Sequence, residues 1–195
     1  MARTISKNHQ QKRESILAIS SKVFAEVGFD RASMAQVAEE CGYSKATLYH
    51  YFPSKNGILF AILDQHLSQL SCHVLNLTRG NLSAENYLAY IVEEILVQYQ
   101  GNDAVHELQI NAIGQLEIAD QEILIAHMRK LVSYVSKIIS EVRPTKFSND
   151  DKGLRMATMS LFGMLNWYYT WTVSYTHLRA HETEADLVCR LLLEK

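Results

Sequence analysis

Ala32-Ser33-Met34-Ala35-Gln36-Val37-Ala38-Glu39-Glu40-Cys41-Gly42-Tyr43-Ser44-Lys45-Ala46-Thr47-Leu48-Tyr49-His50-Tyr51 reads as two short helices joined by a turn. Ser33 stands as an N-cap, with a side-chain oxygen suited to accept an orphan backbone N–H, ahead of Met34, Val37, Ala38 and Cys41 at helical spacing. Gly42 supplies the stop, because only a residue without Cβ takes positive φ at little cost. Ser44 caps the next segment, which runs about two turns until Pro53 removes a backbone donor. A short helix, a glycine turn and a second short helix over 32-51 form a helix-turn-helix by spacing.

Helical patterning continues on both sides. Upstream, from Gln10, Ile16, Leu17, Ile19, Val23, Phe24 and Val27 recur on one face until Gly28, a helix of about five turns. Downstream, Ser54 caps a helix whose apolar positions are Ile58, Leu59, Ile62, Leu63, Leu67 and Leu70. Beyond Gly80 the pattern predicts helices over roughly Ala84 to Gln100, Asp103 to Leu116, Asp120 to Val142 and Asp150 to Thr172, with Arg143-Pro144 as a break. No strand pattern of any length occurs, and the predicted class is all-α. The expected organisation is an N-terminal arm 1-9, a helix-turn-helix domain 10-70, a second helical domain 71-172 and a tail 173-195.

Composition narrows the function. The chain has 195 residues, 48% hydrophobic and 21% charged, which excludes disordered and low-complexity classes. The net charge of −2 advertises no polyanion partner for the whole chain, so a nucleic-acid surface must be local. Residues 1–57 carry eight Lys/Arg against five Asp/Glu, leaving the acidic excess to the remainder. The absence of a long uncharged apolar run or of a signal-peptide h-region predicts a soluble, cytoplasmic protein with no membrane partner. Cys41, Cys72 and Cys189 lack any pattern of a disulfide framework or zinc site. No nucleophile elbow, P-loop or His-Glu-x-x-His occurs, so neither a catalytic residue, a cofactor nor a metal is expected. His9, His66, His73, His106 and His127 read as surface or core residues.

The second short helix of a helix-turn-helix lays its first residues in the DNA major groove. Lys45 and Thr47 at its start reach base edges or phosphate, and Tyr49, His50 and Tyr51 gather donors toward its end. Leu48 and Phe52 are left to pack inward. Ser33 and Lys55 place a hydroxyl and an ammonium at helix starts, an arrangement that grips phosphate. The plainer alternative makes both serines simple caps and the tyrosines packing residues.

The run from Ala32 to Tyr51, continued through Phe52-Pro53-Ser54-Lys55, resembles the DNA-binding signature of the TetR/AcrR family of bacterial transcriptional regulators. The pattern from Ile16-Leu17 through Val23-Phe24-Ala25-Glu26-Val27-Gly28-Phe29 is similar as well, so the resemblance covers about residues 10 to 70. It implies a homodimeric regulator, usually a repressor released from double-stranded operator DNA by a small-molecule effector. It places Ser33, Ser44, Lys45, Thr47, Tyr49, His50, Tyr51 and Lys55 at DNA-contacting positions. Many members carry Tyr then His where this chain has His50 then Tyr51, and both side chains donate to phosphate.

In such regulators the later helices form a ligand pocket and a dimer face. Tyr87, Tyr90, Glu94, Tyr99, His106 and Gln109 supply polar groups among apolar stripes that include Leu108, Ile110 and Ile113, and Phe162 and Asn166 follow on the last predicted helix. The pocket set is Tyr90, Glu94, Tyr99, His106, Ile110, Ile113, Phe162 and Asn166; for any one of them a place in the core or surface is the plainer alternative. Leu161 to Trp171 is apolar and aromatic almost all round and must be covered on several sides. It resembles the penultimate helix of regulators of acyl-CoA, fatty-acid or aromatic-acid breakdown, which implies an acyl- or aryl-CoA thioester or related organic acid as effector. Trp167, Tyr168 and Trp171 are the expected dimer contacts, with Gly163 permitting close helix approach.

Residues 173-195 resemble the translated read-through of a transposase-type sequencing-library adapter, which places the native chain's departure near Thr172 and its family's last helix outside this sequence. His177 and His181 in that tail are accordingly not taken as a metal pair. Two functions of other classes stay open at this point, a sequence-indifferent architectural DNA binder and an enzyme using the C-terminal pocket.

Overall fold

The computed structural model describes the backbone of residues 2–174 and the side chains of residues 8–167. Among the described residues there are nine α-helices and no strand, as the periodicity predicts. They are α1 (Ala2–Val27), α2 (Met34–Glu40), α3 (Lys45–Tyr51), α4 (Lys55–Leu75), α5 (Ala84–Tyr99), α6 (Asp103–Asn111), α7 (Ile118–Val142), α8 (Pro144–Phe147) and α9 (Asp151–Ser174), with a 3-10 turn at Ile113–Gln115 before α7. The tail set aside from Val173 lies outside the described residues from residue 175 onward.

Two boundaries differ markedly from the sequence expectation. α1 begins at Ala2, so the segment set apart as an arm is helical. Its polar run has no apolar period, but Ala, Arg, Lys and Gln all favour helix and no Gly or Pro interrupts them. α6 ends at Asn111, and the chain tightens into the 3-10 turn around Gly114, where Leu116 N–H bonds Ile113 C=O at 3.1 Å. The Arg143-Pro144 break holds, and Pro144 then starts the four-residue α8, its missing donor being harmless at N1.

The described chain forms two compact units. The first takes residues up to Ser68 and Asn102–Ile125; the second takes Gln69–Gly101 and residues from Ala126 onward. In the first, α1 packs on α2 and α6, and α2 on α3. Ile16, Phe24, Val37, Leu48, Ile58, Leu59 and Leu63 are buried at its centre, joined by Leu108, Ala112 and Leu116 from the returning segment. Gln115 adds polar ties, its Nε2 donating to Asp30 Oδ2 and its carbonyl accepting from Asn56 Nδ2, each at 3.3 Å.

In the second unit Leu70, Val74, Leu88, Ile91, Ile95, Leu131, Val135, Leu161 and Leu165 form one apolar core. Buried Tyr87 satisfies its hydroxyl within it, 2.8 Å from Leu77 O and 2.7 Å from the Tyr134 hydroxyl. Burial and that partner push the Tyr87 phenol up to about 12.

Candidate nucleic-acid interface

The candidate interface is built from caps. Ser33 and Gln36 form a reciprocal capping box at the start of α2: Gln36 N–H reaches Ser33 Oγ at 3.3 Å, and Ser33 N–H reaches Gln36 Oε1 at 2.9 Å. At the other end of α2, Gly42 adopts φ +67°, Gly42 N–H bonds Glu39 O at 2.9 Å and Tyr43 N–H bonds Ala38 O at 2.8 Å. That paired closure is a Schellman motif, and the left-handed residue in it turns the chain directly into Ser44.

Ser44 then accepts from Thr47 N–H at 3.1 Å, and its hydroxyl lies 2.8 Å from the Thr47 hydroxyl. The seven-residue α3 is anchored on its inner side by fully buried Leu48 and by buried Phe52 at its C-cap. Burying these two leaves Lys45, Tyr49 and His50 exposed, with Tyr49 51% accessible, and Thr47 and Tyr51 partly so. Ser54 caps α4 through Gly57 N–H at 3.0 Å. Ser44, Lys45, Thr47, Tyr49, His50 and Tyr51 thus lie on α3 or its N-cap and Ser33 on the N-cap of α2, all within the first unit.

Lys55 is engaged within the fold. Its ammonium donates to Phe29 O at 2.6 Å, Ala32 O at 3.0 Å and Asp30 O at 3.1 Å, and lies 4.5 Å from the Phe29 ring centroid. A lysine has three N–H bonds to give. All three close the α1–α2 corner, a structural task that the sequence reading did not assign to this ammonium.

Two residues that sequence reasoning left aside join the α3 end. His9 stacks on Tyr51 with ring centroids 4.6 Å apart, and the Arg13 guanidinium lies 5.3 Å from the Phe52 ring centroid. Their spacing of four on one helix was a visible signal, but nothing local says which element that face meets.

The family model of bacterial regulatory proteins of the tetR family matches residues 16–62, and the tetracyclin repressor-like C-terminal domain matches residues 81–188, more than half of the chain. The chain belongs to the TetR family. The second match runs into the stretch 173-195 that the sequence analysis sets aside. Among curated TetR-like relatives, the HTH-type transcriptional regulator YuxN of Bacillus subtilis is 32% identical over 91 residues, 45% of this chain and 31% of that protein. The chain therefore aligns with less than half the length of such relatives. A TetR-family regulator from Bordetella parapertussis superposes with a TM-score of 0.79 at 28% identity, covering 93% of this chain and 94% of that one. The fold is shared also with the Bacillus subtilis regulator FadR, solved in complex with stearoyl-CoA, at a TM-score of 0.73, 17% identity and coverage of 92% and 97%.

The residues expected to line a TetR-type pocket are divided between the units. In the second unit Tyr99 is buried, with its hydroxyl donating to Asn166 Oδ1 at 3.4 Å, and burial pushes that phenol up to about 12. Phe162 is buried in the same core, and Tyr90 packs against it partly buried. Glu94 is 2.6 Å from His73 Nε2, a half-exposed pair. His106, Ile110 and Ile113 belong to the first unit, and there they divide again: His106 is buried, Ile113 partly so, whereas Ile110 is 53% exposed on the outer face of α6. Beside His106, burial first and then that neighbouring imidazole lower His66 to about 4.

Of the expected dimer residues, Trp167 is 64% exposed on α9, while the side chains of Tyr168 and Trp171 lie outside the described residues. Met159 and Met156, at 53% and 63%, extend the exposed apolar face about two and three turns toward the start of α9, and the sequence reading missed them. No group of three metal-binding side chains occurs among the described residues, and no described helix is long and apolar enough to cross a membrane.

Proposed function

We propose that this TetR-family chain is a sequence-specific DNA-binding transcriptional regulator, a homodimeric repressor released from its operator by a small-molecule effector. The observation that carries the reading is α3: a helix capped by Ser44, pinned from behind by Leu48, and presenting Lys45, Thr47 and Tyr49 outward at its start and middle. A short helix supported in this way is suited to enter the major groove without bringing apolar surface to the phosphates. The exposed apolar stripe Met156, Met159 and Trp167 supports pairing of α9 with a second copy. For the effector, the apolar core of the second unit with its buried Tyr99–Asn166 pair supports an apolar organic acid or its CoA thioester, the class that FadR's stearoyl-CoA represents.

The test is selection of duplexes from a randomised pool by the full chain, followed by titration against a selected and a scrambled duplex across salt concentrations. A regulator binds the selected duplex on the order of a thousandfold or more tightly and loses affinity steeply with salt. Equal affinity for both duplexes sinks specific regulation and favours an architectural binder. Stearoyl-CoA and isovaleryl-CoA are then added to the bound complex. Release by either supports the effector class, because an effector must bind the DNA-free state more tightly than the bound one.

A further inference from the structure

The end of α3 is tied to α1 by three rings. The His9 imidazole lies on the Tyr51 ring with centroids 4.6 Å apart and planes inclined by 29°. His50 meets Tyr51 edge-on, with centroids at 5.6 Å and planes at 85°, and approaches His9 at 6.3 Å and 86°. One turn further along α1, Arg13 covers the ring of Phe52, the C-cap of α3. His9 and His50 are exposed and Tyr51 is only partly buried, so the cluster stands at the surface.

A near-parallel ring pair and an edge-on neighbour are the two arrangements that aromatic quadrupoles favour. At the surface such a contact removes little apolar area from water and adds little to the stability of the fold. What it does change is the freedom of the Tyr51 side chain, whose χ angles would otherwise be ordered only when a partner arrives.

We propose that His9 is a positioning residue of the α3 surface, holding the Tyr51 ring so that its hydroxyl is set in advance to donate to a DNA phosphate. The proposal rests on the DNA-binding reading above and adds to it a residue from outside the helix-turn-helix. His9 acts through Tyr51, not as a charge of its own.

The experiment uses the full chain and a fluorescent duplex that the wild-type protein has selected from a randomised pool. His9→Ala is expected to weaken binding about three- to tenfold, the cost of ordering one side chain on association. Helicity and thermal midpoint stay unchanged, and the slope of log K against log salt stays that of the wild type. His9→Phe, which keeps a ring on Tyr51, restores the affinity. In a Tyr51→Phe background, which lacks the hydroxyl, His9→Ala has no further effect.

Equal binding by wild type and His9→Ala overturns the proposal and leaves the regulator reading standing. So does a full effect of His9→Ala in the Tyr51→Phe background. Failure of His9→Phe to restore, together with a salt slope smaller by about 0.9, makes His9 a phosphate-contacting cation instead. A wild-type chain that selects no duplex at all overturns the DNA-binding reading and this proposal together.

Discussion

Lys55 shows how a side chain that a motif assigns to a partner can also hold its own fold together. At a helix start an ammonium invites a phosphate, yet here its three bonds go to the carbonyls of Phe29, Asp30 and Ala32. Lys55→Met should therefore destabilise the fold, by about 1.5–3 kcal/mol, the worth of charged hydrogen bonds at such a corner. Urea unfolding measures this, and the salt slope of DNA binding should change little. Lys45→Ala should behave in the opposite way, with unfolding unaltered and, if Lys45 meets phosphate, a salt slope smaller by about 0.9. His66 gives a residue-scale dependence on pH. Its folded value of about 4 lies below the ordinary 6.5, so the unfolded chain binds the extra proton between the two. Stability from this group is complete above about pH 6.5 and is lost as pH falls toward 4, by about 3 kcal/mol. His66→Gln should flatten the wild-type loss of thermal midpoint across that window; an equally steep loss in the variant assigns it to other groups.

Among the elements, α2 and α3 are short and depend on their ends. Each is seven residues, too short to persist without caps and packing. Ser44→Ala removes the acceptor for Thr47 N–H and should cost about 1 kcal/mol. Gly42→Ala meets no neighbour within 4 Å but forces a Cβ into φ +67°, which should cost about 1–2 kcal/mol. Chemical denaturation of the two variants checks both values. These ends were legible in the sequence because a cap involves residues three or four apart, and Ser33, Gly42, Ser44 and Ser54 announce themselves. The start of α1 was not, since a polar helix has no apolar period to read. Nor was the stacking of His9 on Tyr51 or the pairing of Lys55 with the Phe29 corner, because both join faces far apart in the chain. The exposure of Ile110 was hidden for a related reason: it sits three residues before Ile113 in an apolar stripe, and the 3-10 turn breaks the helical register that links them.

For the whole molecule, the exposed Met156, Met159 and Trp167 on α9 form the surface from which pairing is expected. Met159→Glu places a charge in that stripe and should shift the sedimentation of the proposed dimer toward that of a monomer, with weaker operator binding as the second readout, since the proposed pairing is what would space the two copies of α3 one duplex turn apart. Unchanged sedimentation would put the contact elsewhere.

The return of Asn102–Ile125 to the first unit also bears on how regulators of this kind can be recombined. A chimaera joined after residue 70 carries α1 without the Leu108, Ala112 and Leu116 that this chain buries beside it, and without the Gln115 ties to Asp30 and Asn56. Its graft must supply a replacement α6 shaped to the recipient's α1. Exchanging α6 together with the head, so that the seams fall at Gly101 and beyond Ile125, keeps those partners in one parental set.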